Sequence, residues 1–212
     1  MSPLYSDVTL GAMARTTALL ALTLLLAACA PLDTGPVPTR AVDFKASQIR
    51  QPAVYVRLSF GPGEWNARQR AELPAGYEAA LLEGLNAKAV LARDVQVIPE
   101  RDTRFDARTA LARARASGAD HAIFVDVRVT QEVATFCTET ARPLRGPALV
   151  LQQEVEVLRA SDGAPRLRVV RPGLAVASVE IDCDNPRDAR RRTPEETLGA
   201  AVEKLLVRVL GP

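Results

Sequence analysis

Residues 116–135 read Ala116-Ser117-Gly118-Ala119-Asp120-His121-Ala122-Ile123-Phe124-Val125-Asp126-Val127-Arg128-Val129-Thr130-Gln131-Glu132-Val133-Ala134-Thr135. Ile123, Val125, Val127 and Val129 fall on one face of an extended chain, and this period of two predicts a long strand over 121–135. Just before it, Gly118 fits the C′ position of a helix over 106–117 whose inward residues are Ala107, Ala110, Leu111 and Ala114. No helical pattern follows the strand. The chain therefore alternates strand and helix up to this point and then continues as strands.

Outward toward the N-terminus, Ala53 to Phe60 places Val54, Val56, Leu58 and Phe60 on one face, the pattern of a half-buried strand. Gly61, Pro62 and Gly63 end it. Pro74 suits a first helical turn, and Tyr77, Leu81 and Leu85 form one stripe of a helix running to about Val90. Val95, Val97 and Ile98 make a short second strand stopped by Pro99. Toward the C-terminus, Leu149 to Leu158 is a strand with Leu149, Leu151, Val155 and Val157. The turn Ser161-Asp162-Gly163 leads into Arg166 to Ile181, which Pro172-Gly173 interrupts as a bulge or break. Thr193 as N-cap, Pro194 in the first turn and Glu196 as capping-box partner open a last helix carrying Leu198, Val202, Leu205, Leu206 and Val209, closed by Gly211. The element order is β-α-β-α-β-β-β-α, an α/β fold.

The first 52 residues have a different character. Ala18 to Ala28 is an apolar run far shorter than the roughly 20 residues of a membrane-spanning helix, and it closes on Leu26-Ala27-Ala28-Cys29. This looks like a bacterial lipoprotein signal with its lipobox, so residues 1–28 are read as a signal peptide, with Met13 an alternative start, and Cys29 as the lipidated first residue. Several acyl chains, at about 0.8 kcal/mol per buried methylene, would anchor the protein stably. Residues 29–52, with Pro31, Gly35, Pro36 and Pro38, read as a tether, and residues 53–212 as a single domain. Removal of residues 1–28 from the 212-residue chain leaves enough for one sizeable core. The formal net charge of +2 gives no nucleic-acid footprint.

The element order, together with Gly118-Ala119-Asp120 feeding a central strand, resembles a group of envelope proteins. It comprises the amino-terminal domain of the Tol propeller protein, the curli secretion lipoprotein and lipoprotein activators of penicillin-binding proteins. The resemblance spans residues 53–210. It implies a three-layer α/β/α sandwich on a mixed five-stranded sheet, and a binding or assembly module without catalysis, which in some members is a homo-oligomeric ring.

Three cysteines divide naturally. Cys29 is assigned to lipid, and in an oxidising compartment Cys137 and Cys183 are candidates for a disulfide, two free thiols being the alternative. They follow the third and fifth strands at the same end of the sheet, two strand spacings or roughly 10 Å apart, so one must curl over the fourth strand to pair. A loop of this size would contribute about 4 kcal/mol in the chain-entropy model.

Catalytic constellations fail one by one. His121 is the sole histidine, and Cys137 lies 16 positions along what reads as one strand, so no Cys-His dyad forms. Gly61-Pro62-Gly63 lacks the third glycine and the helix start of a pyrophosphate cradle. Asp182, Asp184, Asn185 and Asp188 gather carboxylates, but a calcium loop starting at Asp182 would need Gly and Glu where Arg187 and Thr193 stand. No metal, cofactor or enzymatic activity is expected.

Two features suit a partner surface. Trp65 sits in a polar loop, read as Gly61 to Leu73, near Arg68 and Arg70, a composition common at interface hot spots; an anchor folded onto the sheet is an equal reading. Arg190, Arg191 and Arg192, with Arg187, stand ahead of the last helix, where the dipole disfavours positive charge. The expected function is a lipid-anchored accessory or assembly subunit of a cell-envelope complex, acting by protein–protein binding at the periplasmic face of the outer membrane. The alternative is an auxiliary lipoprotein carrying a small apolar ligand or lipid between helices and sheet. Expected partners are the membrane, through the N-terminal lipid, an unidentified envelope protein and further copies of the chain.

Overall fold

The computed structural model describes residues 39–132, 148–180 and 190–211, all within the second of two units into which the chain divides, Gly35–Pro212. Cys29, Cys137, Cys183 and the acidic group from Asp182 to Asp188 lie outside the described residues.

Six strands form one mixed sheet: β1 (Thr39–Arg40), β2 (Ala53–Phe60), β3 (Asp94–Ile98), β4 (His121–Glu132), β5 (Ala148–Arg159) and β6 (Pro165–Ala177). Their spatial order is β1-β6-β5-β4-β2-β3. β2 runs parallel to β3 and to β4, while β4, β5 and β6 form an antiparallel meander. The expected five strands are all present, and β1 adds a short sixth. A separate ribbon pairs β7 (Val179–Glu180) with β8 (Arg190–Arg191).

Helices cover both faces. Helix α1 (Ala67–Ala87) and helix α3 (Pro194–Leu210) pack on the side of the sheet that presents Val54, Val56, Ile123, Val125, Leu151 and Val155. Helix α2 (Ala107–Ala116) covers the opposite side, where Tyr55, Phe105 and Phe124 stack around Ala110 and Ala114. The two cores follow from strict alternation along β2 and β4: odd residues of β4 go to one core, and Ala122 and Phe124 to the other.

Three boundaries differ from the sequence reading. The segment 39–52, expected as the end of a tether, belongs to the folded body: Phe44 and Ile49 are buried in the main core, and Asp43 pairs with the buried Arg166 at 2.7 Å. That arginine holds the Asp43 carboxyl below the usual carboxylate range. Helix α1 begins seven residues ahead of Pro74, which lies inside it. Its start is set by Asn66, whose side chain accepts the Gln69 N–H at 2.8 Å while the Gln69 side chain accepts the Asn66 N–H, a capping box. The expected last strand divides into β6, which ends at Ala177, and β7, and the bulge expected at Pro172-Gly173 is present: between Val155↔Val169 and Gln153↔Leu174, β6 has four residues where β5 has one.

Gly118 has φ +71°, the left-handed conformation that ends α2 at the predicted place. Two residues on, Asp120 does the work of its short motif. Its Oδ2 accepts the backbone N–H groups of Arg50 and Gln51 at 2.7 and 2.9 Å, and its own N–H donates to the Gln51 carbonyl. The motif thus clamps the chain leading into β2 against the start of β4.

Candidate functional site

Between the N-terminal halves of α1 and α3 and the ends of β4 and β5 lies a cavity of about 370 Å³. Trp65, Leu73 and Gly76 wall it from the α1 side, Leu198 from α3 and Leu149 from β5, while Gln69, Glu72, Gln131, Ser178, Arg192 and Glu195 surround them. Sequence reading singled out Trp65 and Arg192 separately; the fold brings them to one site. Arg68 does not line it. It is largely exposed and pairs with Glu72 one helical turn on, at 2.6 Å.

Trp65 is tied back to the fold and also contributes a wall of the cavity. Its indole N–H donates to the Gly61 carbonyl at 2.9 Å, and its ring meets Phe60 edge-on with centroids 5.0 Å apart. Arg70, on the first turns of α1, lies over the Phe60 ring and pairs with Glu100. The loop holding Trp65 ends at Asn66, since 67–73 are helical, which makes it shorter and more constrained than the sequence suggested.

The arginine run is likewise not a loop. Arg190 and Arg191 form β8, and Arg192 continues from it with its N–H on the Ser178 carbonyl. The unfavourable dipole at the start of α3 is offset locally: Arg190 reaches Glu196 at 3.2 Å, and Glu196 caps the helix by accepting the Thr193 N–H. That backbone donor, with Arg190 and Arg192 nearby, lowers the Glu196 carboxyl below its ordinary range. The Thr193 capping box stands as read from the sequence.

A buried polar bridge ties both helices to the sheet. The Tyr77 hydroxyl donates to Gln153 Oε1 at 2.6 Å, and Gln153 Nε2 donates to the carbonyls of Leu174 and Ala201 at 3.2 and 3.0 Å. Both side chains are fully buried. Burial raises the Tyr77 hydroxyl far above its ordinary value, so it stays a neutral donor. Gln153 gave no signal in a one-dimensional reading; a lone amide on the apolar face of a predicted strand was the available cue.

His121 is buried at the start of β4, its Nδ1 3.2 Å from Asp120 Oδ1. On the other face of the sheet, Arg57 forms a two-point pair with Asp126 and donates to the Phe105 carbonyl, in a charged recess of about 520 Å³ beside α2 that also holds Glu156 and Arg168. Among the described residues no group of three His, Cys, Asp or Glu side chains is arranged to hold a metal ion, and no helix is long and apolar enough to cross a membrane.

No family model matches the chain, and no curated protein does. Among solved structures it is similar to the PelC dodecamer from Paraburkholderia phytofirmans, at 17% identity over 82% of this chain and 93% of that one, with a TM-score of 0.34. It is also similar to lipoprotein GNA1162 from Neisseria meningitidis, at 10% identity over 76% of this chain and all of that one, TM-score 0.37. A neuraminyllactose-binding hemagglutinin homolog from Helicobacter pylori aligns at 9% identity over 81% and 90% of the two chains, TM-score 0.32.

Proposed function

We propose that the chain is a lipid-anchored accessory or assembly subunit of a bacterial cell-envelope complex, held through Cys29 at the periplasmic face of the outer membrane and acting by binding protein rather than by catalysis. The observation that carries the binding role is the convergence of Trp65 with Arg192, which follows β8, in the lining of the cleft between α1 and α3. Aromatic and arginine side chains around a recess are the composition of interface hot spots. In the same lining Leu149 and Ser178 are joined by two hydrogen bonds. A non-catalytic role is supported by His121, the single histidine, which is buried beside the Asp120 clamp and remote from that cleft.

The test is site-specific photocrosslinking in the producing cell from Arg68 and Arg190, both exposed, with Leu91, exposed on the α1–β3 connection, as the control position. A defined adduct with an envelope protein, or with a second copy of the chain, from the first two positions and not the third is expected. Equal adducts from all three, or none, would refute the reading. Separately, Cys29→Ala should move the protein from the membrane fraction to the soluble one.

A further inference from the structure

We infer that the cavity between α1 and α3 is a binding site for a single unbranched acyl chain, belonging to a monoacyl amphiphile whose headgroup stays in solvent at the mouth. This goes beyond the protein-binding role and does not depend on it.

The wall chemistry points to this class of ligand. Trp65, Leu73, Leu149 and Leu198 supply the surface, and most of the polar side chains beside them already hold partners within the fold. The Trp65 N–H is taken by the Gly61 carbonyl. Gln131 exchanges both of its amide groups with the Glu64 backbone, at 3.2 and 3.1 Å. Ser178 Oγ accepts the Leu149 N–H at 2.9 Å, and Gln69 Oε1 serves the α1 cap. A sugar or a peptide backbone entering here would lose its hydrogen bonds to water and find few replacements, a penalty that methylene groups do not incur. Size narrows the choice further. At about 370 Å³ the space lies at the lower end of the roughly 300–1,000 Å³ of ligand sites, which suits one chain and not a two-chain lipid.

The site is also built to stay open. A Cβ on Gly76 would come within 2.8 Å of Leu198 Cδ1, so the absence of a side chain at 76 lets α1 and α3 approach at this level without Leu198 turning into the space. One residue on, Tyr77 starts the buried bridge to Gln153 and Ala201, which ties both helices to the sheet. Helices pinned in this way hold the space between them instead of closing on it.

Trp65 is the only tryptophan of the chain, so its fluorescence reports on this wall alone. The full lipidated chain, in phosphatidylcholine vesicles, is titrated with 11-bromoundecanoic acid, whose bromine quenches an indole in contact. Saturable quenching that undecanoic acid reverses is expected, with apparent affinity at least tenfold weaker in Leu149→Phe, which fills the cavity, and unchanged in Leu91→Phe, at an exposed position. Should Leu149→Phe fail to fold by circular dichroism, reversal by undecanoic acid in the unaltered chain decides the matter. Quenching that rises linearly without saturation, equally in all three proteins, would overturn the assignment. So would an absence of quenching combined with shielding of Trp65 from acrylamide in the crosslinked protein complex, which would give the cavity to a partner's side chain. Loss of acyl binding with crosslinking intact defeats this inference alone, and the reverse result defeats only the protein-binding role.

Discussion

The Tyr77–Gln153 bridge offers the sharpest energetic test, because both side chains are fully buried and their groups are spoken for by named partners. Tyr77→Phe removes the hydroxyl and leaves Gln153 Oε1 in the core without a donor, a cost of about 1–3 kcal/mol. Gln153→Leu leaves the Tyr77 hydroxyl without its acceptor, at about 1–3 kcal/mol, and also withdraws a donor from the Leu174 and Ala201 carbonyls, each worth about 1 kcal/mol net. The double variant orphans neither side-chain group of the pair. It should therefore be no less stable than Gln153→Leu, with a coupling energy of about 1–3 kcal/mol between the two positions. Urea unfolding followed by circular dichroism on the four proteins gives the cycle. Additivity within about 0.5 kcal/mol would mean that the two side chains do not act as one unit, and the account of how α1 and α3 are held over the sheet would fail.

Helix α1 and helix α3 also meet at Gly84, where a Cβ would lie 2.6 Å from Leu206 Cδ1, whereas Gly199 of α3 faces open space. Gly199→Ala should raise stability by about 0.5–1 kcal/mol through helix propensity, and Gly84→Val should lower it by about 1–3 kcal/mol through overpacking, both read as shifts of the urea midpoint. Asp106 is lowered by the Thr109 N–H it caps, Asp162 by Arg159, and Asp43 by Arg166. A carboxyl whose folded pKa is depressed stabilises fully above its unfolded value and loses that contribution as pH falls through the folded one. Thermal midpoints should accordingly hold level from neutral pH to about pH 5 and fall below about pH 4; a midpoint that rises on acidification would contradict those pairings. Intact mass of the purified protein under non-reducing conditions, followed by peptide mapping, should show Cys137 and Cys183 joined, and two alkylatable thiols would refute the pairing.

Much of the frame was legible because its signals are local. The alternation in Val54, Val56 and Leu58, or in Ile123 to Val129, needs only a period of two. The stop at Gly118 needs only a positive φ, and Thr193-Pro194-Glu195-Glu196 is a complete helix start in four residues. What escaped was decided either by competition between local signals or by distant contacts. Pro74 suits a first turn, yet Asn66 and Gln69 supply a better one upstream; the cost of a proline inside the helix is set against the core contacts of Leu73 and Tyr77 on either side of it. The segment 39–52 has no periodicity of its own. It is fixed by Arg166 and by the carboxylate of Asp120, more than a hundred and about seventy positions away in sequence.

The candidate site was the least legible part for the same reason. A cavity is a relation among elements: Trp65 precedes α1, Leu149 opens β5, and Arg192 precedes α3, and none of the three is near another along the chain. What ties them together is a device with almost no sequence signature, a glycine at 76 that lets the helices approach and an amide at 153 that pins them one turn deeper. Gln153 breaks the apolar pattern of β5 on its buried face, and such a break is stable only when every polar atom finds a partner. Its partners come from α1, α3 and β6 at once. A conservative change at that position is therefore expected to disturb the cavity and the surface around Trp65 together, although Gln153 reaches neither, and a change at Arg68 or Arg190 is expected to disturb the surface alone.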